Sequence, residues 1–299
     1  MDEMNDYLFT QLPVTHATTS YDKLEKPDDN GRYALHYACM KKESTFGQIE
    51  RILSSNRRAR RYRDINKKIP LHYAIELGPD ANESIIELLL THYMKGAEFM
   101  VYEYDRTLLH KAIMLGCKYE ILEMLLHAYP DAITMKTLNT EHLPMHYGIL
   151  YHSPYDIIRL LYHAYPKSLE MVDYLGRTPL HISIRNHCPI NVVNYLIRRH
   201  PNGMKSVDKI GNTPFAVACE HGSFPPTLRL LYDSWPFCIH TSDFEGRTPL
   251  HKACRKGQYI TVKFLLHVGA YTDVLTHQGE TPFKRYVNFI YIYIVMVKI

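Results

Sequence analysis

Eighteen histidines and six cysteines are the residues of this 299-residue chain best suited to chemistry. Histidine and cysteine are the usual ligands of zinc and common bases and nucleophiles. Their spacing argues against both uses. His36, His72, His110, His146, His181 and His251 recur at steps of 36, 38, 36, 35 and twice 35 residues. Neighbours in such a series are separated by the thickness of one structural unit, whereas zinc holds its ligands at about 2.0–2.1 Å. A structural role as a hydrogen-bonding residue at a helix start follows instead. His127, His163 and His267 fall near helix C-termini, where a partial positive charge is favourable.

The cysteines follow the same ruler. Cys39, Cys219 and Cys254 lie three residues after a slot of the series, and Cys117 and Cys188 lie seven after one. Equivalent slots on stacked helices are about 8–10 Å apart, beyond the ~7 Å Cα limit of a disulfide. Small buried thiols in a reducing compartment are expected, cytoplasmic or else nuclear. No Gly-x-Ser-x-Gly elbow, phosphate-cradling Gly-x-x-x-x-Gly-Lys, Cys-x-x-Cys or His-Glu-x-x-His is present, so no enzyme activity and no cofactor or metal are expected.

The element that positions each histidine is Gly-Arg-Thr-Pro-Leu-His, found unchanged at Gly176–His181 and Gly246–His251. Glycine supplies the positive φ of a tight turn, and threonine is a good N-cap. Proline fits the first helical position, and histidine at the third can reach back to the cap. Degraded copies include Gly31–His36, Ile69–His72, Arg106–His110, Pro144–His146, Gly211–Phe215 and Gly279–Phe283. They extend the slot series to Ala216 and Lys284, with final intervals of 35, 35 and 33.

A turn followed by Thr-Pro-Leu-His at this period resembles the ankyrin repeat, over roughly residues 28 to 286. The resemblance implies an all-α ankyrin-repeat solenoid of about eight units, each two antiparallel helices and a β-turn finger. It also implies a binding module or scaffold that presents a concave face and finger tips to another protein, with no small-molecule substrate. Carried over slot by slot, the tips supply Tyr104, Arg106, Tyr174, Leu175, Arg177, Ile210, Phe244 and Arg247. The ends of the first helices supply Leu77, Met114, Leu115, Leu150, Tyr151, Arg185, Arg255 and Lys256. Tyr102 and Leu138 occupy the Asp position of the third and fourth fingers, departing from the family pattern.

Within a unit the helices are readable. In repeat five a first helix from Pro179 to about Asn186 precedes a second from about Ile190 to Arg199, with Val192, Val193, Leu196 and Ile197 on one stripe. Pro130, Pro166, Pro201 and Pro236 each fall twenty residues after their slot and end the second helix. Two extra residues lengthen the connector beyond, where Tyr129, Tyr165 and Trp235 are expected as packed plugs. In-register Tyr37, Tyr73 and Tyr147, one residue after the histidine, suggest packing between units.

Three stretches stand outside the pattern. Residues 1–27 read as a flexible leader without a signal-peptide core. Arg57 to Lys68 carries seven basic residues, read as a solvated loop or a contact for an acidic partner or nucleic acid. Residues 287–299 form an apolar tail, an incomplete last repeat or a truncated coding sequence. Its run Phe289 to Val297 is shorter than the ~20 residues of a membrane span. A net charge of +4 does not call for nucleic acid, so a protein is the expected partner. A membrane-associated adaptor using the tail, or a nuclear factor using the basic run, are the alternatives.

Overall fold

The structure, a computed structural model, describes residues 26–91, 101–102 and 106–284. Tyr104 and the tail Phe289 to Val297 lie outside the described residues, as does most of the expected leader. Two compact units divide the chain, Met1–Tyr73 and Ala74–Ile299.

The first unit holds one helix pair, α1 (Ala34–Met40) packed on α2 (Phe46–Ser55), then a 3-10 turn at Ala59–Arg61. Thr45 caps α2 together with Gln48 in a reciprocal capping box. In the basic run Arg57, Arg58, Arg61, Arg63 and Lys67 are exposed, but the segment is anchored at two points. Its Arg60 is buried, and Asp64 within it is buried beneath the Tyr73 hydroxyl, 3.9 Å from the Arg32 guanidinium. Helix α3 (Pro70–Glu76) carries the boundary between the units.

The second unit continues with α4 (Glu83–Leu90), α5 (Leu108–Met114) and α6 (Tyr119–Ala128). Then come α7 (Pro144–Leu150), α8 (Tyr155–Ala164), α9 (Pro179–Arg185) and α10 (Ile190–Arg199). The last four are α11 (Pro214–His221), α12 (Pro225–Ser234), α13 (Pro249–Arg255) and α14 (Tyr259–His267). First helices pack in one row, α5 on α7, α7 on α9, α9 on α11 and α11 on α13. Second helices form the other row, α4 through α14 in steps of two. This two-layer stack is an all-α ankyrin-repeat solenoid, in which each pair buries its apolar stripe on its neighbours. The stripe of α10 is buried throughout at Val192, Val193, Leu196 and Ile197. Between α4 and α5 two short strands, β1 (Val101–Tyr102) and β2 (Arg106–Thr107), pair antiparallel to form the sides of the third finger.

The connectors after the prolines are ordered 3-10 turns, at Pro130–Thr134, Pro166–Leu169, Pro201–Lys205 and Pro236–His240. The expected plugs differ from the structure. Tyr129, Tyr165 and Trp235 are only half-buried, standing as non-helical C-caps at the corner. The residues that enter the core are Ile133, Leu169, Met204 and Ile239, all at most 5% exposed. A 3-10 turn places every third side chain on one edge, so the third residue after each proline points inward.

Candidate functional site

Fingers are built on a side-chain acceptor, which is buried at Asp64, Thr137, Asp173 and Asp243, half-buried at Asp208 and exposed at Asp28. Asp173 Oδ1 accepts from the backbone N–H of Leu175 and of Arg177, both at 2.9 Å, closing a turn whose positive φ falls at Gly176. Asp208 and Asp243 repeat this arrangement, and Asp28 and Asp64 share it in the first unit. In the fourth finger Thr137, not Leu138, takes the Asp role. Its Oγ1 accepts from the His142 N–H at 3.1 Å, while Leu138 is 70% exposed. That finger therefore holds one extra residue, which accounts for the 36-residue interval between His110 and His146.

Successive fingers are joined by a ladder of single backbone bonds. Tyr174 N–H donates to Thr140, Lys209 to Leu175, Phe244 to Ile210 and His277 to Glu245, at 2.9–3.2 Å. Beneath it, each of the slot histidines His110, His181 and His251 bridges two repeats. Its Nδ1 accepts from the cap residue's own N–H, at 3.3 Å for Thr178 to His181 and 3.1 Å for Thr248 to His251. Its Nε2 donates onward to a carbonyl of the next finger: His142 for His110, Asn212 for His181 and Glu280 for His251. Accepting at Nδ1 fixes the Nε2–H tautomer. The rings are neutral in the fold. Burial pushes His72 and His110 down to about 4 and His146 to about 3, and lowers His36, His181 and His251 as well.

The expected tip residues separate into two kinds. Tyr174, Ile210 and Phe244 project, at 42%, 53% and 65% exposure. Arg177 and Arg247 instead fold back. Arg177 lies 2.7 Å from Asp173 Oδ2, and Arg247 Nε lies 2.8 Å from Asp243 Oδ2 and its NH1 2.8 Å from Glu245. Burial alone would raise Asp173; hydrogen bonds from His142 and Arg177 outweigh it and hold the carboxyl well below the usual range. Arg106 is half-buried, 5.9 Å from the Tyr147 ring centroid.

Sequence reasoning missed a fully buried cation. Lys252 is 0% exposed, with Nζ 2.6 Å from Asp243 Oδ2 and 3.9 Å from Glu220. It stands one residue after the slot, where Tyr37 and Tyr73 send their hydroxyls to Asp28 and Asp64. The in-register tyrosines were the available signal: that position services the finger Asp.

On the first-helix side Leu77, Met114, Leu115 and Leu150 are half-buried and Tyr151 is 47% exposed. Arg185, Arg255 and Lys256 are exposed. Fingers and helices of repeats five to seven enclose a groove of about 300 Å³. Leu175, Arg177, Arg185, Ile210 and Lys256 line it, with His181, Asp208, Lys209, Asn212, Val217, Glu220 and His221. The structure thus brings five of the expected residues to one place. Tyr174, Phe244, Arg247 and Arg255, with the expected residues of repeats two to four, lie outside that lining.

Among the described residues no three His, Cys, Asp or Glu side chains converge as a metal site, and no helix is long and apolar enough to cross a membrane. All six cysteines are buried and free. Burial pushes Cys188 up to about 11 and Cys117, Cys238 and Cys254 up to about 12, which removes thiolate character at neutral pH.

Fingers, paired helices and bridging histidines define a repeat protein with a groove across repeats five to seven. Residues 180–276 match the family model for ankyrin repeats, in three copies, so this stretch of the chain carries ankyrin repeats. The crystal structure of the ankyrin repeat domain of Bcl-3, described as a unique member of the IkappaB protein family, is similar in fold. The TM-score is 0.60 at 23% identity, covering 73% of this chain and 94% of that one. No curated protein sequence matches the chain.

Proposed function

We propose that the chain is a non-catalytic scaffold of the cytoplasm or nucleus. It engages a partner protein through the finger tips and first-helix ends of repeats three to seven. Ankyrin repeats are in general protein–protein interaction modules. The observation that carries the reading is the row Tyr174, Ile210 and Phe244. These large apolar side chains stand at least 42% exposed on tips whose backbones are hydrogen-bonded from one finger to the next. Such groups in a row are unusual unless covered, and aromatic anchors on a rigid frame lose little entropy on binding. Leu175 and Arg185 sit beside this row, and Met114, Leu115, Leu150 and Tyr151 continue the helix-side surface toward repeat three.

The test is affinity capture with mass spectrometry, followed by titration of the captured partner. Tyr174→Ala combined with Phe244→Ala is expected to weaken binding by about 2 kcal/mol or more, roughly thirtyfold, with helical content unchanged. Undiminished affinity in the folded double variant would exclude this face.

A further inference from the structure

The groove of repeats five to seven has an unbalanced charge inventory. Both of its carboxylates are already engaged. Asp208 accepts from the backbone N–H groups of Ile210 and Asn212 and from Asn212 Nδ2, at 2.8–3.0 Å, all inside its own finger. Glu220 faces three cations: Arg255 at 2.8 Å, and Lys252 and Lys256 each at 3.9 Å. Burial would raise its pKa, but Lys252 and Arg255 outweigh it and hold the carboxylate ionised.

The groove's cations are not matched in turn. Arg177 is neutralised by Asp173. Arg185 and Lys209, both exposed, form no ion pair with any described carboxylate, and Lys256 has only its long contact to the shared Glu220. The pKa of His221 is lowered by burial first and then by the charge of Arg185, with Glu220 opposing and Lys256 adding a smaller push. Between these cations run Leu175, Ile210 and Val217, from half-exposed to buried.

We propose that this groove takes an acidic peptide segment of a partner protein, with a bulky apolar side chain of that segment seated on Leu175, Ile210 and Val217. The inference rests on the interaction-module reading above and adds the chemistry of the partner. Carboxylates of the peptide pair with Arg185 and Lys209, which the fold leaves without an ion pair to any described carboxylate, and with Lys256, which has only a share of Glu220. A basic segment would meet like charge and be excluded. The aliphatic lining favours a peptide over a nucleic acid, because single-stranded binding relies on aromatic platforms for stacked bases.

The experiment selects a randomised dodecapeptide library on the folded chain and measures synthetic winners by fluorescence anisotropy. Winners are expected to be net acidic with one or more large apolar residues, and to weaken as salt rises. Arg185→Gln, Lys209→Gln and Lys256→Gln together should reduce their affinity at least tenfold, and the corresponding triple Glu variant more. All three side chains are exposed, so circular dichroism should be unchanged. The proposal is overturned by failure to enrich any peptide, by winners that are neutral or basic, or by unaltered affinity in both folded triple variants. It is also overturned if a single-stranded oligonucleotide displaces the winners at lower concentration than unlabelled peptide does. Winners lost in Tyr174→Ala/Phe244→Ala but indifferent to the triple variants would overturn this inference alone. Winners indifferent to both sets would overturn the interaction surface as well.

Discussion

The Nε2 of His181 lies 2.9 Å from the carbonyl oxygen of Asn212, a residue 31 positions further along the chain. One ring thereby holds the start of its own helix and the base of the next finger. His110 and His251 do the same to His142 and Glu280. The neutral imidazole is required at Nδ1, which accepts; a protonated ring would turn that acceptor into a donor facing an N–H.

This makes stability depend on pH in a defined window. In the unfolded chain these histidines titrate near 6.5, whereas in the fold burial has lowered their pKa values. Between the two values the unfolded chain binds more protons, so stability is complete above about pH 6.5 and falls as pH drops toward 4. Each such histidine contributes up to about 1.4 kcal/mol per pH unit inside the window. The finger aspartates Asp173 and Asp243, with lowered pKa values, add their loss only below about 3.8. Urea midpoints should therefore fall steeply from about pH 7 to pH 5, and His110→Gln should flatten that slope. A constant midpoint over this range would refute the assignment.

The buried pair Lys252–Asp243 should respond unequally to loss of its two members. Repeat five carries Ile182 where repeat seven has Lys252, and Asp173 there is served by Arg177 and the finger N–H groups. Lys252→Ile re-creates that arrangement and is expected to cost about 1 kcal/mol or less. Asp243→Ala leaves a fully buried ammonium with only the 3.9 Å contact to Glu220, at a cost of about 3–5 kcal/mol. Equal losses in chemical denaturation would show that the pair acts as a unit instead.

Gly211 and Gly269 share nearly the same left-handed backbone, φ +86° and +87°. A Cβ at Gly269 would meet nothing within 4 Å, whereas one at Gly211 would lie 2.7 Å from the backbone nitrogen of Phe244. Gly269→Ala should cost about 1–2 kcal/mol for conformation alone. Gly211→Ala should cost more, because it also pushes apart the finger bond from Phe244 to Ile210. Calorimetric melting compares the two directly. Indistinguishable values would mean that the finger ladder yields without penalty.

Much of this architecture is local chemistry and was legible in residue order. Helix α9 begins at Pro179 and α10 ends at Arg199 as the Thr-Pro start and the following His200-Pro201 require, since cap, first-turn proline and proline stop act within a few residues. The stripe Val192, Val193, Leu196 and Ile197 is buried because helical spacing alone puts those side chains on one face. Exposure of Tyr174, Ile210 and Phe244 followed from their place on turns that can pack only against neighbouring turns.

Other choices depend on which polar partner a side chain meets once its finger has closed and the repeats have stacked, and helical periodicity does not encode them. Thr137 and Leu138 are adjacent, and which of them replaces Asp depends on the hydrogen bond that His142 can complete. Arg177 and Arg247 have side chains long enough to reach a partner or to fold back; the buried carboxylates of Asp173 and Asp243 decide in favour of folding back. Lys252 reads as a surface residue by type, yet stacking encloses it between Asp243 and Glu220. Short-range caps and periodicity determine where helices begin and which face they bury. The direction of a long charged side chain is determined by the carboxylate it can reach in the folded state: one in its own finger for Arg177 and Arg247, and for Lys252 also Glu220, which stacking brings beside it.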